Sequence, residues 1–153
     1  MNIEDRTELT DLKHRYFRTL DLKEFDELGT LLTQDCKAAY DNGNLSYEGR
    51  EAIVEFLKSS LAHGGIISEH HGHHPEFTEL EDGSVRGVWY LEDRVIIPDA
   101  DLEIAGTAFY EDRYVKTDEG WRIAETGYQR VFEEQRVFST RVLTKFSHRF
   151  ASS

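Results

Sequence analysis

Four long strand-like runs fill the C-terminal half of this chain and constrain its fold more than any other feature. They cover roughly Ile66 to Leu80, Ser84 to Ile97, Leu102 to Lys116 and Gly120 to Arg136. The connections Glu81-Asp82-Gly83, Pro98-Asp99-Ala100-Asp101 and Thr117-Asp118-Glu119-Gly120 are polar and suited to hairpins. The first part of the chain is periodic in the helical sense instead. Leu9, Leu12, Tyr16 and Leu20 form an apolar stripe over Thr7 to Leu20. Phe25, Leu28, Leu31 and Leu32 predict a second helix over Lys23 to Leu32. Ile53, Phe56, Leu57 and Leu61 predict a third over Glu51 to Ala62, stopped by Gly64-Gly65. Between the second and third, short strands at Cys36 to Tyr40 and Leu45 to Tyr47 flank the turn Asp41-Asn42-Gly43-Asn44. Helices followed by a long meander imply an α+β fold, a curved antiparallel sheet wrapped around three N-terminal helices. Ser139 to Phe150 reads as a short helix or arm.

At 153 residues the chain fits one domain, 1–153, able to bury a proper core. A net charge of −12 disfavours nucleic acid, which needs a basic surface, and disfavours anionic lipid. The lone Cys36 excludes an intrachain disulfide and a cysteine zinc cluster. Without a membrane-length apolar run or a secretory start, the chain reads as a soluble cytoplasmic protein.

Asp93 stands out within the second strand. Val85, Trp89, Leu91, Asp93 and Val95 share one parity, so a carboxylate falls on the apolar face. Such a group must be paired, protonated or facing a wet cavity. The plainer alternative is a strand-end Asp already in water near Pro98.

Several strings together resemble the SnoaL-like group of the nuclear transport factor 2-like superfamily. They are RYFRTLDLKEFDELGTLLTQDC, YEGREAIVEFL, EHHGHHPEF, GVWYLED and GTAFYEDRYVKTDEGWRI, in order across nearly the whole chain. The resemblance implies a cone of curved sheet closed by helices around a deep pocket. Within the group the pattern is most similar to the bile-acid 7α-dehydratases, and more distantly to scytalone dehydratases and lindane dehydrochlorinases. It implies a His on the first long strand, here His70, and an Asp ending the first helix, here Asp21. It also implies a Tyr five residues before that Asp, here Tyr16, and an acid on the next strand, here Asp93. Scytalone dehydratases carry a Tyr directly before the helix-end Asp, where this chain has Leu20, so that substrate is not carried over.

These four residues can perform β-elimination of water, or a proton shift, next to a carbonyl. Asp21 would orient His70 as general base, Tyr16 would stabilise an enolate, and Asp93 would protonate a departing hydroxyl. Trp89, Tyr110, Tyr128 and Arg130 are the candidates for binding substrate. Each has a structural alternative: Tyr16 as core, Asp21 as a helix cap, Arg130 as partner of surface acids. Tyr110 and Phe109 compete for one inward position. His70, His71, His73 and His74 are crowded, and strand parity separates His70 from His71, so no metal site is expected. A bulge near Gly72 would exchange which of His70 and His71 faces inward.

The expected activity is thus a cofactor-independent dehydratase or isomerase acting on a small hydrophobic ring-containing ketone, such as a steroid or polyketide. The alternatives are a non-catalytic binding or oligomerisation module, or a structural subunit like those of ring-hydroxylating dioxygenases. The resemblance implies a homo-oligomer, a trimer rather than a dimer, with residues 138–153 as an interface arm or lid.

Overall fold

In the computed structural model, which describes residues 1–143 and 145–150, helix α1 spans Ile3–Leu22. It starts where the Asn2 side chain accepts the Asp5 backbone N–H at 2.8 Å, and Glu4 and Asp5 complement the positive end of the helix dipole. Leu9, Leu12, Tyr16, Phe17 and Leu20 are buried along one stripe. The helix ends at Lys23, whose backbone is left-handed (φ 63°) and whose N–H returns to the carbonyls of Leu20 and Thr19. The Lys23 ammonium then donates to the carbonyls of Leu61, His63 and Ile66 (3.1 and 2.8 Å for the last two), clasping the helix end to a distant loop.

Helix α2, Phe25–Thr30, is shorter than its apolar pattern predicts, because Leu32 already opens strand β1, Leu32–Tyr40. Strand β2 (Leu45–Glu48) and helix α3 (Arg50–Leu61) follow. Then come β3 (Ile67–Glu79), β4 (Val85–Ile97), β5 (Leu102–Thr117) and β6 (Gly120–Val137). The six strands form one curved sheet in the order β2-β1-β6-β5-β4-β3. It is mixed rather than wholly antiparallel, since β1 runs parallel to β6. Those two strands lie far apart in sequence, so no hairpin dictates their relative direction. No helix among the described residues is long and apolar enough to cross a membrane.

Irregularities shape the cone. On β6, Ala124 and Val131 are skipped in the pairing with β5, and such bulges bend a strand and reset its alternation. The second turns Phe132 outward, away from Arg130, with which strict alternation would align it. On β3 the pairing shifts only after His73. At Gly72 a Cβ would lie 2.4 Å from Phe17 Cε2, so glycine lets α1 settle on β3. After β6, the described residues contain one 3-10 turn, Phe138–Thr140. The chain then folds back, with Arg141 on Glu103 at 2.7 Å and Phe138 against Phe146. Of the expected arm, Thr144 and residues 151–153 lie outside the described residues.

Candidate active site

The last turn of α1 delivers Asp21 to the edge strand β3. One carboxylate oxygen accepts from His70 Nδ1 at 2.7 Å and from the Ser68 hydroxyl at 2.8 Å. The other accepts the His70 backbone N–H at 2.9 Å. A carboxylate accepts, so Nδ1 carries a ring proton and the lone pair of that tautomer lies at Nε2. Nε2 has no hydrogen-bond partner among the described residues. The ring stacks on Phe17, with planes 3° apart. The pair is sheltered but not sealed: the side chains are 10% exposed for His70 and 21% for Asp21. With the bulge displaced beyond His73, His70 faces inward and His71 outward.

Four tyrosines, Tyr16 on α1 and Tyr40, Tyr110 and Tyr128 on the sheet, cluster between the helix and the concave face. The Tyr16 and Tyr40 hydroxyls are 2.7 Å apart, and Tyr110 packs edge-on against Tyr16, Phe17 and Tyr128. Burial pushes the phenols of Tyr16 and Tyr110 well above the ordinary tyrosine range, and Tyr40 and Tyr128 also move up. All four are therefore neutral hydroxyls at physiological pH. Tyr16 is wholly buried against Tyr40, so its hydroxyl is not presented to solvent. Of the adjacent pair, Tyr110 takes the inward position and Phe109 is exposed.

Asp93 lies inward, directly across β4 from His70. It does not stand as a lone acid: both of its oxygens accept from the Arg130 guanidinium, the second at 2.8 Å. That bidentate pair occupies both oxygens as acceptors, an arrangement different from the expected general acid. Arg130, expected to meet surface acids, instead reaches across β5 to a buried one. It can do so because Gly106 lies between them; a Cβ there would stand 3.2 Å from Arg130 Nη1. Burial is the largest influence on Arg130 and opposes its charge, but the hydrogen bonds to Asp93 and the electrostatic attraction of Asp93, Tyr128 and Glu133 together outweigh it, and the guanidinium pKa is raised. The guanidinium also covers the Tyr128 ring at 4.9 Å. His70, Phe17, Tyr110, Tyr128, Arg130 and Asp93 thus follow one another around the concave face.

Trp89, expected to bind substrate, is not brought to this group. It is fully buried, donates to the Tyr114 hydroxyl at 2.9 Å and packs against Phe77 and His14. It belongs to a second polar network centred on Lys13 and Asp112, whose closest atoms are 2.8 Å apart. Asp112 also accepts from Thr126 and Tyr114 at 2.7 and 2.6 Å. Neither Lys13 nor Asp112 was marked by any motif, although Asp112 shares the inward parity of Tyr110 and Tyr114. Ser68 carries no motif, and Tyr40 is legible only as the end of the strand from Cys36.

The model of the SnoaL-like domain family matches residues 1–127. The chain belongs to that family. Among solved structures, this SnoaL-like protein is similar to a scytalone dehydratase-like protein of Novosphingobium aromaticivorans (TM-score 0.79, 17% identity, 87% of this chain and 88% of that one). It is also similar to a type 3 hexachlorocyclohexane dehydrochlorinase of Novosphingobium barchaimii (TM-score 0.77, 15% identity, 88% and 91%). A third is ActVI-ORFA of Streptomyces coelicolor (TM-score 0.71, 16% identity, 82% and 96%). At these identities the likeness is one of fold, the α+β cone.

Proposed function

We propose that this SnoaL-like protein is a cofactor-independent lyase or isomerase that abstracts a proton next to a carbonyl. The observation that carries the reading is the Asp21–His70 contact at 2.7 Å, which leaves Nε2 with no partner among the described residues. His70 Nε2 takes the proton from the carbon beside the carbonyl, and the bonding pair moves to the carbonyl oxygen as an enolate. Tyr128 and the guanidinium of Arg130, fixed by Asp93, are the donors best placed to stabilise that oxygen. The enolate collapses to a carbon–carbon double bond as the β-hydroxyl departs, and His70 returns its proton to make water. One base thus completes the elimination without a separate acid. Tyr16, tied to the Tyr40 hydroxyl and wholly buried, is not a direct donor in this scheme.

The aromatic wall fits a hydrophobic, ring-containing hydroxy-ketone of steroid or polyketide type. The dehydratase-like and dehydrochlorinase neighbours support elimination as the reaction class. Tyr90 and Phe109 meet edge-to-face on the outer side of the sheet and are exposed there, which supports a homo-oligomer; the preference for a trimer rests on the family resemblance alone. The single free, buried Cys36 suits a cytoplasmic, reducing setting.

The test is turnover of a panel of β-hydroxy-ketones by the protein and its His70→Gln variant. Elimination by the first and not the second is expected. Equal rates, or no turnover of any ketone, would sink the reading. The near-complete burial of Tyr16 and Tyr110 favours one rival, a module whose concave face is packed and which only binds. That rival predicts binding of an apolar ligand unaffected by His70→Gln.

A further inference from the structure

The histidine run carries a second feature that the dyad does not use. The pairing of β3 with β4 sets His71 opposite Glu92 and His73 opposite Tyr90, with no shift until after His73. Residues two apart on a strand share a face, so His71 and His73 both project from the outer side, while His70 points into the cone. Glu92 projects outward from β4 by the same rule, as its neighbour Asp93 points in. Side-chain ligand atoms of His71, His73 and Glu92 lie within 4.8 Å of one another, and all three residues are exposed. The imidazole rings are 6.0 Å apart between centroids.

We infer that His71, His73 and Glu92 form a surface site for a divalent transition metal of the zinc type. Two imidazoles and a carboxylate are a donor set such ions accept, with water completing the shell. Ligands at about 2.0–2.1 Å in a tetrahedron stand roughly 3.4 Å apart, a gap that rotation of exposed side chains can close from 4.8 Å. The net charge of −12 favours cations over anions at the protein surface in general. Spacing along β3 alone supplied only two outward histidines; the third ligand comes from the neighbouring strand and is set by register. His74 is not a member: its ring lies 5.9 Å from that of His73, but the ligand atoms within 4.8 Å of one another are those of His71, His73 and Glu92. The ion would tie edge strand β3, hydrogen-bonded on one side only, to β4 one residue from the His70–Asp93 register pair.

The experiment is competition of the untagged full chain with a chromophoric chelator for Zn²⁺. One zinc per chain is expected. His71→Ala, His73→Ala and Glu92→Gln should each weaken binding at least about tenfold, the loss that even an outer partner of a metal ligand causes. His70→Gln, His63→Ala and His74→Ala should leave affinity unchanged, and zinc should raise the thermal midpoint of the parent chain but not of His71→Ala. The inference is overturned by no binding or by more than one equivalent. It is overturned equally by a Glu92→Gln variant of parental affinity, or by a loss in His74→Ala matching that in His71→Ala, either of which would mean diffuse capture by histidines.

Discussion

Helix α1 carries two charged groups onto the sheet, and the structure treats them in opposite ways. Near its middle, Lys13 meets Asp112 with both side chains fully excluded from solvent. Asp112 also accepts from Thr126 and Tyr114, Trp89 donates to Tyr114, and the ammonium lies 3.6 Å from the Tyr110 ring centre. Burial lowers the Lys13 pKa, and Asp112 is the chief group that opposes this. At the helix end, Asp21 meets His70 at a similar distance, but one ring nitrogen is left unengaged and both groups retain some exposure. A closed network holds α1 in place. An open one, mounted on that fixed helix, is available for chemistry.

The largest effect should come from the closed network. Lys13→Ala strands Asp112 without its cation, and breaking a buried pair in this way costs about 3–5 kcal/mol. Lys13→Met combined with Asp112→Leu should recover much of that, because no buried charge is left alone. Urea denaturation of the three chains reads both values; a loss below about 1 kcal/mol in Lys13→Ala would show that water reaches the pair.

His70→Gln should do the reverse. Turnover of the substrate found in the panel should fall about 10²–10⁴-fold, the usual contribution of a general base, while stability changes by under about 1 kcal/mol. If instead the variant unfolds easily and the residual rate is unchanged, His70 is a packing residue and the two regions of α1 are alike.

Much of this division was legible in the sequence, but unevenly. Alternation and polar turns located β3 to β6 to within a residue or two, because each long strand carries its own signal. The parallel pairing of β1 with β6 had no local signal, since it joins segments from opposite ends of the chain. The dyad of Asp21 and His70 entered through family resemblance at two spaced positions. Parity marked Asp93 as inward but not its partner, because the bulge at Val131 and the gap at Gly106 decide where Arg130 points. The same parity marks Asp112 between Tyr110 and Tyr114, whereas Lys13 reads as a surface residue until its partner is known.

Gly106→Ala tests how the Asp93–Arg130 pair is built. The new Cβ would lie 2.5 Å from the Phe132 carbonyl oxygen and 3.2 Å from Arg130 Nη1, so backbone or guanidinium must move. Overpacking of this kind costs about 1–3 kcal/mol. If Arg130 orients the reacting oxygen, the variant should also lose turnover beyond its loss of stability, measured well below its unfolding midpoint. Stability loss with unchanged turnover would assign Asp93 and Arg130 to the closed class.

The smallest effect concerns alkaline pH and belongs to the closed region. Cys36 lies near Lys13 and Asp112, and burial first, then the carboxylates of Asp112, Asp35 and Glu125, pushes its thiol up to about 12 from the ordinary 9.0. A group whose pKa is raised on folding contributes stability that is fully present below its unfolded value. That contribution is lost as pH climbs from about 9 toward 12, because the unfolded chain sheds the proton while the folded chain keeps it. The slope from one such group is at most about 1.4 kcal/mol per pH unit. Tyr16, Tyr110 and Tyr114, also raised chiefly by burial, add the same sign of slope above about pH 10. Cys36→Ala removes only the thiol's share, so its stability should fall less steeply than the parent's between pH 8 and 10, by about 1 kcal/mol at pH 10. Slopes, not absolute stabilities, make the test, since the substitution also leaves a small void. Parallel slopes would mean that the thiol ionises freely in the folded chain and that the neighbourhood of Lys13 and Asp112 is open to water.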